Sequence, residues 1–193
     1  MAILIAYLFG SLSSAIITCK LMGLPDPRTQ GSRNPGATNV LRIGGKKAAI
    51  FTLLGDVLKG VIPVLLAKWY GLPLSGLALV ALAAFLGHLY PIFFRFDGGK
   101  GVATAAGCIT ALAWPVGLTL LATWLLVAIF FRYSSFSSLV AAILAPFYTW
   151  YFTNPVYTYV VILISVLLIY RHRTNIRHLM MGKESKIGKK HSA

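Results

Sequence analysis

Acidic side chains are almost missing from this 193-residue chain: Asp26, Asp56, Asp97 and Glu184 stand against 18 Lys and Arg, a formal net charge of +14. A carboxylate dyad, an acidic cage for a divalent metal or a Ser-His-Asp relay would each have to be built from almost nothing. Cysteine is as scarce. Cys19 and Cys108 lie in apolar runs without CxxC or His-Cys spacing, so neither a disulfide framework nor a structural metal site is indicated, and both read as small apolar residues. Charge of either sign is thin, with 11% of residues charged, 58% hydrophobic and a mean hydropathy of +0.77. That leaves too little polar surface to cover a water-soluble globule and identifies an integral membrane protein. The positive charges come in separated clusters between apolar runs rather than on one basic domain, which argues against nucleic acid as a partner and for membrane topology as their cause.

Apolar runs near residues 1 to 22, 48 to 67, 73 to 94, 102 to 114, 116 to 131, 136 to 151 and 156 to 170 predict an all-α protein of about seven transmembrane helices. The first three reach the roughly 20 residues that span a bilayer. The last four are short and are broken at Trp114-Pro115 and Asn154-Pro155, so the second half is expected to be thinned or partly re-entrant, with its irregular backbone covered by protein or water. The first run has no basic segment before it, and Lys20 follows it, so it reads as a retained helix rather than a signal peptide.

Connections alternate between basic and nearly neutral. Residues 20 to 47 carry Lys20, Arg28, Arg33, Arg42, Lys46 and Lys47; the next connection has Lys68 alone; the third holds Arg95 and Lys100. Trp114-Pro115 is uncharged, Arg132 marks the next basic side, residues 150 to 156 are neutral, and the tail from Arg171 onward carries seven Lys or Arg. By the positive-inside rule the N-terminus is outside and the C-terminus cytoplasmic. Residues 1 to 181 read as one membrane-embedded domain and 182 to 193 as a basic cytoplasmic tail.

All the unusual polar sequence then falls on the cytoplasmic side. RFDGGKGVAT at residues 95 to 104 sets Lys100 among Gly98, Gly99 and Gly101, where no β-carbon holds a ligand away from the backbone. A helix starting near Val102 would add unpaired amides and the positive end of its dipole, which together make a phosphate site; a polar interhelical turn is the plainer alternative. A nucleotide P-loop is excluded, because Phe94 and Gly101 stand where it needs Gly and Ser or Thr. GSRNPGATNVLR at residues 31 to 42 is long and oddly specific for a mere connection.

Asp56 and Lys59 in GDVLKG share one helical face, where a membrane-embedded pair either faces a functional interior or braces the bundle. His88 closes an apolar run as a hydrogen-bonded core residue or a base. Ser134, Ser135, Ser137 and Ser138 in RYSSFSSL are helix caps or hold a substrate hydroxyl. In RHRTNIRHL, Arg171, His172, Asn175 and His178 share a face if the last helix continues; a basic tail on anionic lipid is the alternative. The histidines lack the His-four residues-Asp pattern of glycerolipid acyltransferases, since Phe93, Arg177 and Lys183 stand where Asp should follow His88, His172 and His178. The polar inventory donates far more than it accepts, which suits binding phosphorylated molecules, neutralising them and stabilising an oxyanion.

In order and spacing, GSRNPGATNVLR, GHLYPIFFRFDGGKGVAT (residues 87 to 104) and RHRTNIRHL resemble the three signature motifs of the bacterial acyl-phosphate:glycerol-3-phosphate acyltransferase family, PlsY, and the likeness covers essentially the full chain. RYSSFSSL is a looser match to that family's serine segment. The resemblance implies a multi-pass enzyme of the bacterial inner membrane that moves an acyl chain from acyl phosphate to the 1-hydroxyl of sn-glycerol 3-phosphate, giving lysophosphatidic acid and phosphate without a cofactor or metal. It implies catalytic roles for Lys100, His172 and Asp56. It implies substrate contacts from Ser32, Arg33, Asn34, Thr38, Asn39, Arg42, Lys59, His88, Gly98, Gly99, Gly101, Ser135, Ser138, Arg171 and Asn175. An anion transporter would also want basic pockets, but the chain shows no internal repeat and its outer half is almost wholly apolar. A lipid-binding scaffold would not need GSRNPGATN or GGKG.

Overall fold

The computed structural model describes residues 1–187. These form nine α-helices and one 3-10 turn, with no strand among the described residues. The first apolar run is two helices, α1 (Ala2–Gly10) and α2 (Ser14–Leu21), bent by 45° at Ser11 to Ser13. Serine there competes with the backbone: Ser11 Oγ donates to the Tyr7 carbonyl (2.8 Å), and Ser13 Oγ caps α2 by accepting from the Ile16 amide. The freed Leu12 carbonyl accepts from Lys59 Nζ at 2.8 Å, so the break is satisfied inside the protein.

α3 (Ala37–Trp69) runs eleven residues upstream of the apolar run, through part of the first motif, and is interrupted at Gly45, whose φ of 75° is not helical. α4 (Leu74–Leu89) leads through the 3-10 turn Ile92–Phe94 to α5 (Val102–Leu112). α6 (Trp114–Phe131), α7 (Ser134–Phe152) and α8 (Pro155–Arg171) are longer than their apolar runs suggest. Trp114-Pro115, Ser134-Ser135 and Arg171 are polar or turn-prone in sequence yet fit helix ends, where proline needs no acceptor; the serines do not cap α7, since Ser134 Oγ meets Thr38 and Ser135 Oγ donates to Glu184. Of the four runs read as short, only the one that forms α5 gives a short helix.

Among the described residues four helices are long and apolar enough to cross a membrane, or up to six if each bent pair counts as one span. α5 adds an eleven-residue apolar helix whose N-terminus lies with the motifs and whose last carbonyl, of Leu112, accepts from Lys68 Nζ (2.8 Å) at the other end. It packs on α3 by close backbone approach. A β-carbon at Gly60 would meet the Thr104 carbonyl, and one at Gly107 the Val57 carbonyl. The end away from the motifs exposes Trp69, Tyr70, Trp114, Trp150, Tyr151 and Tyr159, the aromatic belt of a membrane interface. The last helix does not continue: α9 (Arg173–Met180) leaves α8 at 57°. The shared face expected of Arg171, His172, Asn175 and His178 is therefore replaced by a corner at His172.

Candidate active site

The first motif loop is built around Asn39, which is 1% exposed. Its Nδ2 donates to the carbonyls of Pro27 (2.9 Å) and Gln30 (3.0 Å), and its Oδ1 accepts from the Ser32 amide (2.9 Å). Expected to touch substrate, Asn39 instead spends its amide holding the loop. Arg28 pairs with Asp26 (2.7 Å) and reaches the Phe94 carbonyl (3.4 Å), tying the first loop to the second; the guanidinium holds the Asp26 carboxyl below its ordinary range. On that scaffold Ser32 and Arg33 are exposed and Asn34 partly so, with Arg33 in the left-handed region (φ 56°). Thr38 Oγ1 lies 3.2 Å from Ser134 Oγ, joining α3 to α7.

The glycine turn before α5 is clamped from two sides. Arg171 Nη2 and Nε donate to the carbonyls of Gly98 (2.7 Å) and Gly99 (3.2 Å), and its guanidinium lies over the Tyr90 ring. The Gly99 amide donates to the His88 carbonyl (3.2 Å). With the carbonyls drawn one way, the amides of Lys100, Gly101, Val102 and Ala103 have no acceptor among the described residues. They form an anion cradle at a helix N-terminus. Gly101 takes φ 86° as N-cap, and a β-carbon there would strike the Phe85 ring and Leu89. Arg171, read from sequence as a substrate contact, is placed here against the turn.

Lys100 reaches across to α9, its Nζ donating to Asn175 Oδ1. Asn175 Nδ2 donates to Glu184 Oε1 (2.8 Å), as does Ser135 Oγ (2.6 Å), and His178 Nδ1 is 3.7 Å from the same carboxylate. Lys100, Asn175, Ser135 and Glu184 thus meet although they lie on four segments of the chain. Burial pulls the Lys100 ammonium down from 10.5 to about 8; Glu184 works against the shift, and Arg171 and Arg42 add to it. Glu184 was missed by the sequence reading, which placed it in a basic tail; it is the only acid after Asp97. The start of that tail folds back, with the Ile187 amide donating to the Arg132 carbonyl (2.7 Å). Lys189 and Lys190 lie outside the described residues.

Ser138 is engaged elsewhere, donating to the Ser134 carbonyl and accepting from Trp124 Nε1 (3.1 Å), so Ser135 is the serine that faces the cluster. His172 is buried with Nδ1 2.8 Å from the Leu168 carbonyl. A carbonyl can only accept, so Nδ1 carries the proton and Nε2 of the neutral ring keeps its lone pair. Asp56, Lys59 and His88 form a second, enclosed cluster under the turn. Asp56 Oδ1 lies 2.9 Å from Lys59 Nζ and 3.5 Å from His88 Nδ1, with all three residues 6% exposed or less. The sequence reading gave them catalytic or substrate-binding roles; the structure buries all three beneath the turn, with Lys59 also reaching the α1–α2 break and bordering the groove between α2 and α3. No group of three His, Cys, Asp or Glu arranged to hold a metal occurs among the described residues.

Between α2 and α3 lies an apolar groove of about 610 Å³, lined among others by Phe9, Ile17, Leu21, Phe51, Leu58 and Ile62. It runs from Leu21, at the motif end of α2, to Phe9 and Ile62 further along the span.

A family model described as glycerol-3-phosphate acyltransferase matches residues 1–182. Relatives named glycerol-3-phosphate acyltransferase from Methylococcus capsulatus and Cupriavidus necator are 56% identical over 186 residues and 60% identical over 192. The alignments cover 96% and 97% of this chain, and 94% and 95% of those proteins. The fold matches the crystal structure of PlsY (YgiH), an integral membrane glycerol 3-phosphate acyltransferase, in its glycerol 3-phosphate form with a TM-score of 0.92 at 41% identity. In its lysophosphatidic acid form the TM-score is 0.89 at 40% identity; each match covers 97% of this chain and 94% of the other. Family model, relatives and fold agree over nearly the whole chain, which belongs to the glycerol-3-phosphate acyltransferase family.

Proposed function

We propose that this protein acylates the 1-hydroxyl of sn-glycerol 3-phosphate with an acyl phosphate as donor, releasing lysophosphatidic acid and inorganic phosphate. The observation that carries this reading is the cradle of free amides at Lys100 to Ala103 with the Lys100 ammonium alongside, a site for a phosphate rather than for a neutral headgroup. Both substrates are phosphate esters or anhydrides, and Lys100, Arg42 and Arg33 supply the charge to bring them together. The hydroxyl oxygen attacks the acyl carbonyl carbon, and the carbon to phosphate-oxygen bond breaks with its electron pair leaving on phosphate. The hydroxyl proton passes to a substrate phosphate oxygen, with His172 Nε2 as the competing acceptor on the protein. An activated anhydride needs neither coenzyme A nor a serine acyl-enzyme.

The groove between α2 and α3 is the seat proposed for the acyl chain, since its apolar wall begins at the motif end and its volume lies in the range of ligand pockets. The motif end faces the cytoplasm of a bacterial inner membrane, with the N-terminus outside, because that end carries the basic connections. Purified protein given acyl phosphate and glycerol 3-phosphate should release phosphate only when both are present. Release with either substrate omitted, or equal turnover with acyl-coenzyme A, would overturn the assignment.

A further inference from the structure

The geometry points to His88 as a positioning residue that shapes the phosphate cradle through Gly99 without touching substrate; this rests on the phosphate-binding role proposed above for the turn. The Gly98–Gly101 turn contains three glycines, which gain access to the needed conformation but lose rigidity, so something outside the turn must hold it. Arg171 fixes its carbonyls. On the opposite side the wall is His88: a β-carbon built on Gly99 would collide with the ring at Nε2, and one on Gly98 with the His88 and Leu89 carbonyls. The same residue supplies both the ring and the carbonyl that accepts from the Gly99 amide.

The ring is held in turn. Its Nδ1 edge lies 3.2 Å from Thr104 Oγ1, in the first turn of α5, and 3.5 Å from Asp56 Oδ1. Asp56 is paired with Lys59 at 2.9 Å, and Lys59 is anchored on the Leu12 carbonyl at the α1–α2 break. A leucine would fill the same space without introducing a charged pair into the middle of the bundle, where charge is expensive. What the polar chain adds is orientation: it fixes the plane of the ring, and through Gly99 the direction in which the following amides point.

The contact can be tested from both sides. Wild type must first show acyl transfer to glycerol 3-phosphate; failure there refutes the proposed function, and the variants are then compared by KM and kcat. His88→Ala is expected to raise KM for glycerol 3-phosphate about tenfold with a smaller loss in kcat. Gly99→Ala should do the same or worse, because its methyl group meets the ring. In the double variant the methyl enters the space left by the ring, so its KM should lie below that of Gly99→Ala alone. His88→Asn keeps a donor near the Nδ1 position but lacks the far edge of the ring, so it should melt close to wild type and still show the raised KM. If His88→Ala does not fold, the cycle of His88→Asn with Gly99→Ala gives the same comparison. Multiplicative effects of the two substitutions, or a normal KM in His88→Asn, would reduce the histidine to a packing role and sink the proposal.

Discussion

Removing the Lys100 ammonium is the sharpest perturbation of this site. The side chain projects from a turn whose neighbouring amides have no acceptor among the described residues, so both amides and ammonium are available to a phosphate resting there. Its environment opposes the charge: the fall from 10.5 to about 8 corresponds to roughly 3 kcal/mol of burial and like-charge repulsion from Arg171 and Arg42, beyond what Glu184 offsets. A phosphate dianion placed against the ammonium can recover a cost of that size, and about 3 kcal/mol is about a hundredfold in binding or rate.

Lys100→Ala should therefore lower kcat/KM on the order of a hundredfold or more, measured as phosphate release at pH 7 with both substrates. Lys100→Arg should restore little. The planar fork needs a wider approach than a turn packed on Phe85 and Leu89 provides, and it would have to displace the bond to Asn175. Lys47→Ala, an exposed charge remote from the turn in sequence, controls for a general effect of membrane charge and should cost little. Near-normal turnover by a Lys100→Ala protein that elutes and melts like wild type would refute the reasoning. The catalytic assignment would then move to Arg42 and the His172 to Asn175 corner.

Because the Lys100 charge is present below about 8 and lost above it, KM for glycerol 3-phosphate should climb as pH rises past 8, by up to tenfold per unit. A flat KM between pH 7 and 9.5 would contradict this. Cysteine labelling from outside should reach a probe at Gly71 and not one at Gly182, and the reverse pattern would invert the topology. Mass spectrometry of enzyme mixed with acyl phosphate alone should show no adduct; a stable acyl group on Ser32, Ser135 or Ser138 would replace direct transfer by a two-step path. Ile62→Trp, at the far end of the groove between α2 and α3, should favour shorter acyl donors over longer ones, and unchanged chain-length preference would remove the acyl chain from that groove.

The helical, membrane-embedded character and the location of the motifs were legible because both rest on local signals: long apolar runs, glycine and proline breaks, and clustered charge. Asp56 and Lys59 were legible as a pair for the same reason, being one helical turn apart, and the structure brings them to 2.9 Å. What they face was not. Only the packing of α4 and α5 against α3 reveals His88 and Thr104 as their neighbours, and that contact is set by Gly60 and Gly107, whose lack of side chains carries no direction in sequence. The break at Ser11 to Ser13 was hidden because serine is common in membrane helices and the donor to the freed Leu12 carbonyl, Lys59, lies 47 residues away. The corner at His172 was hidden likewise: RHRTNIRHL has no glycine or proline to mark it. The contact of Arg171 with the turn was not legible, since a guanidinium that donates to two carbonyls looks in sequence the same as one awaiting a phosphate.

Glu184 accounts for how a donor-rich site can be ordered with so few acceptors. Arg171 and Arg42 add to the cost of charging Lys100, and side chains such as Ser135 and Asn175 have no preferred direction on their own. One carboxylate addresses both problems. It accepts from Ser135 and from Asn175 Nδ2, which leaves Asn175 Oδ1 turned toward the ammonium, so the aim of Lys100 is set at one remove by an acid on the following segment. The turn itself is held by Arg171 on one side and His88 on the other. Amides, ammonium and hydroxyl are thereby fixed by contacts outside the substrate, which in the proposed transfer is the preorganisation that would let electrostatic stabilisation act without reorienting the site as charge moves from the attacking oxygen to the departing phosphate.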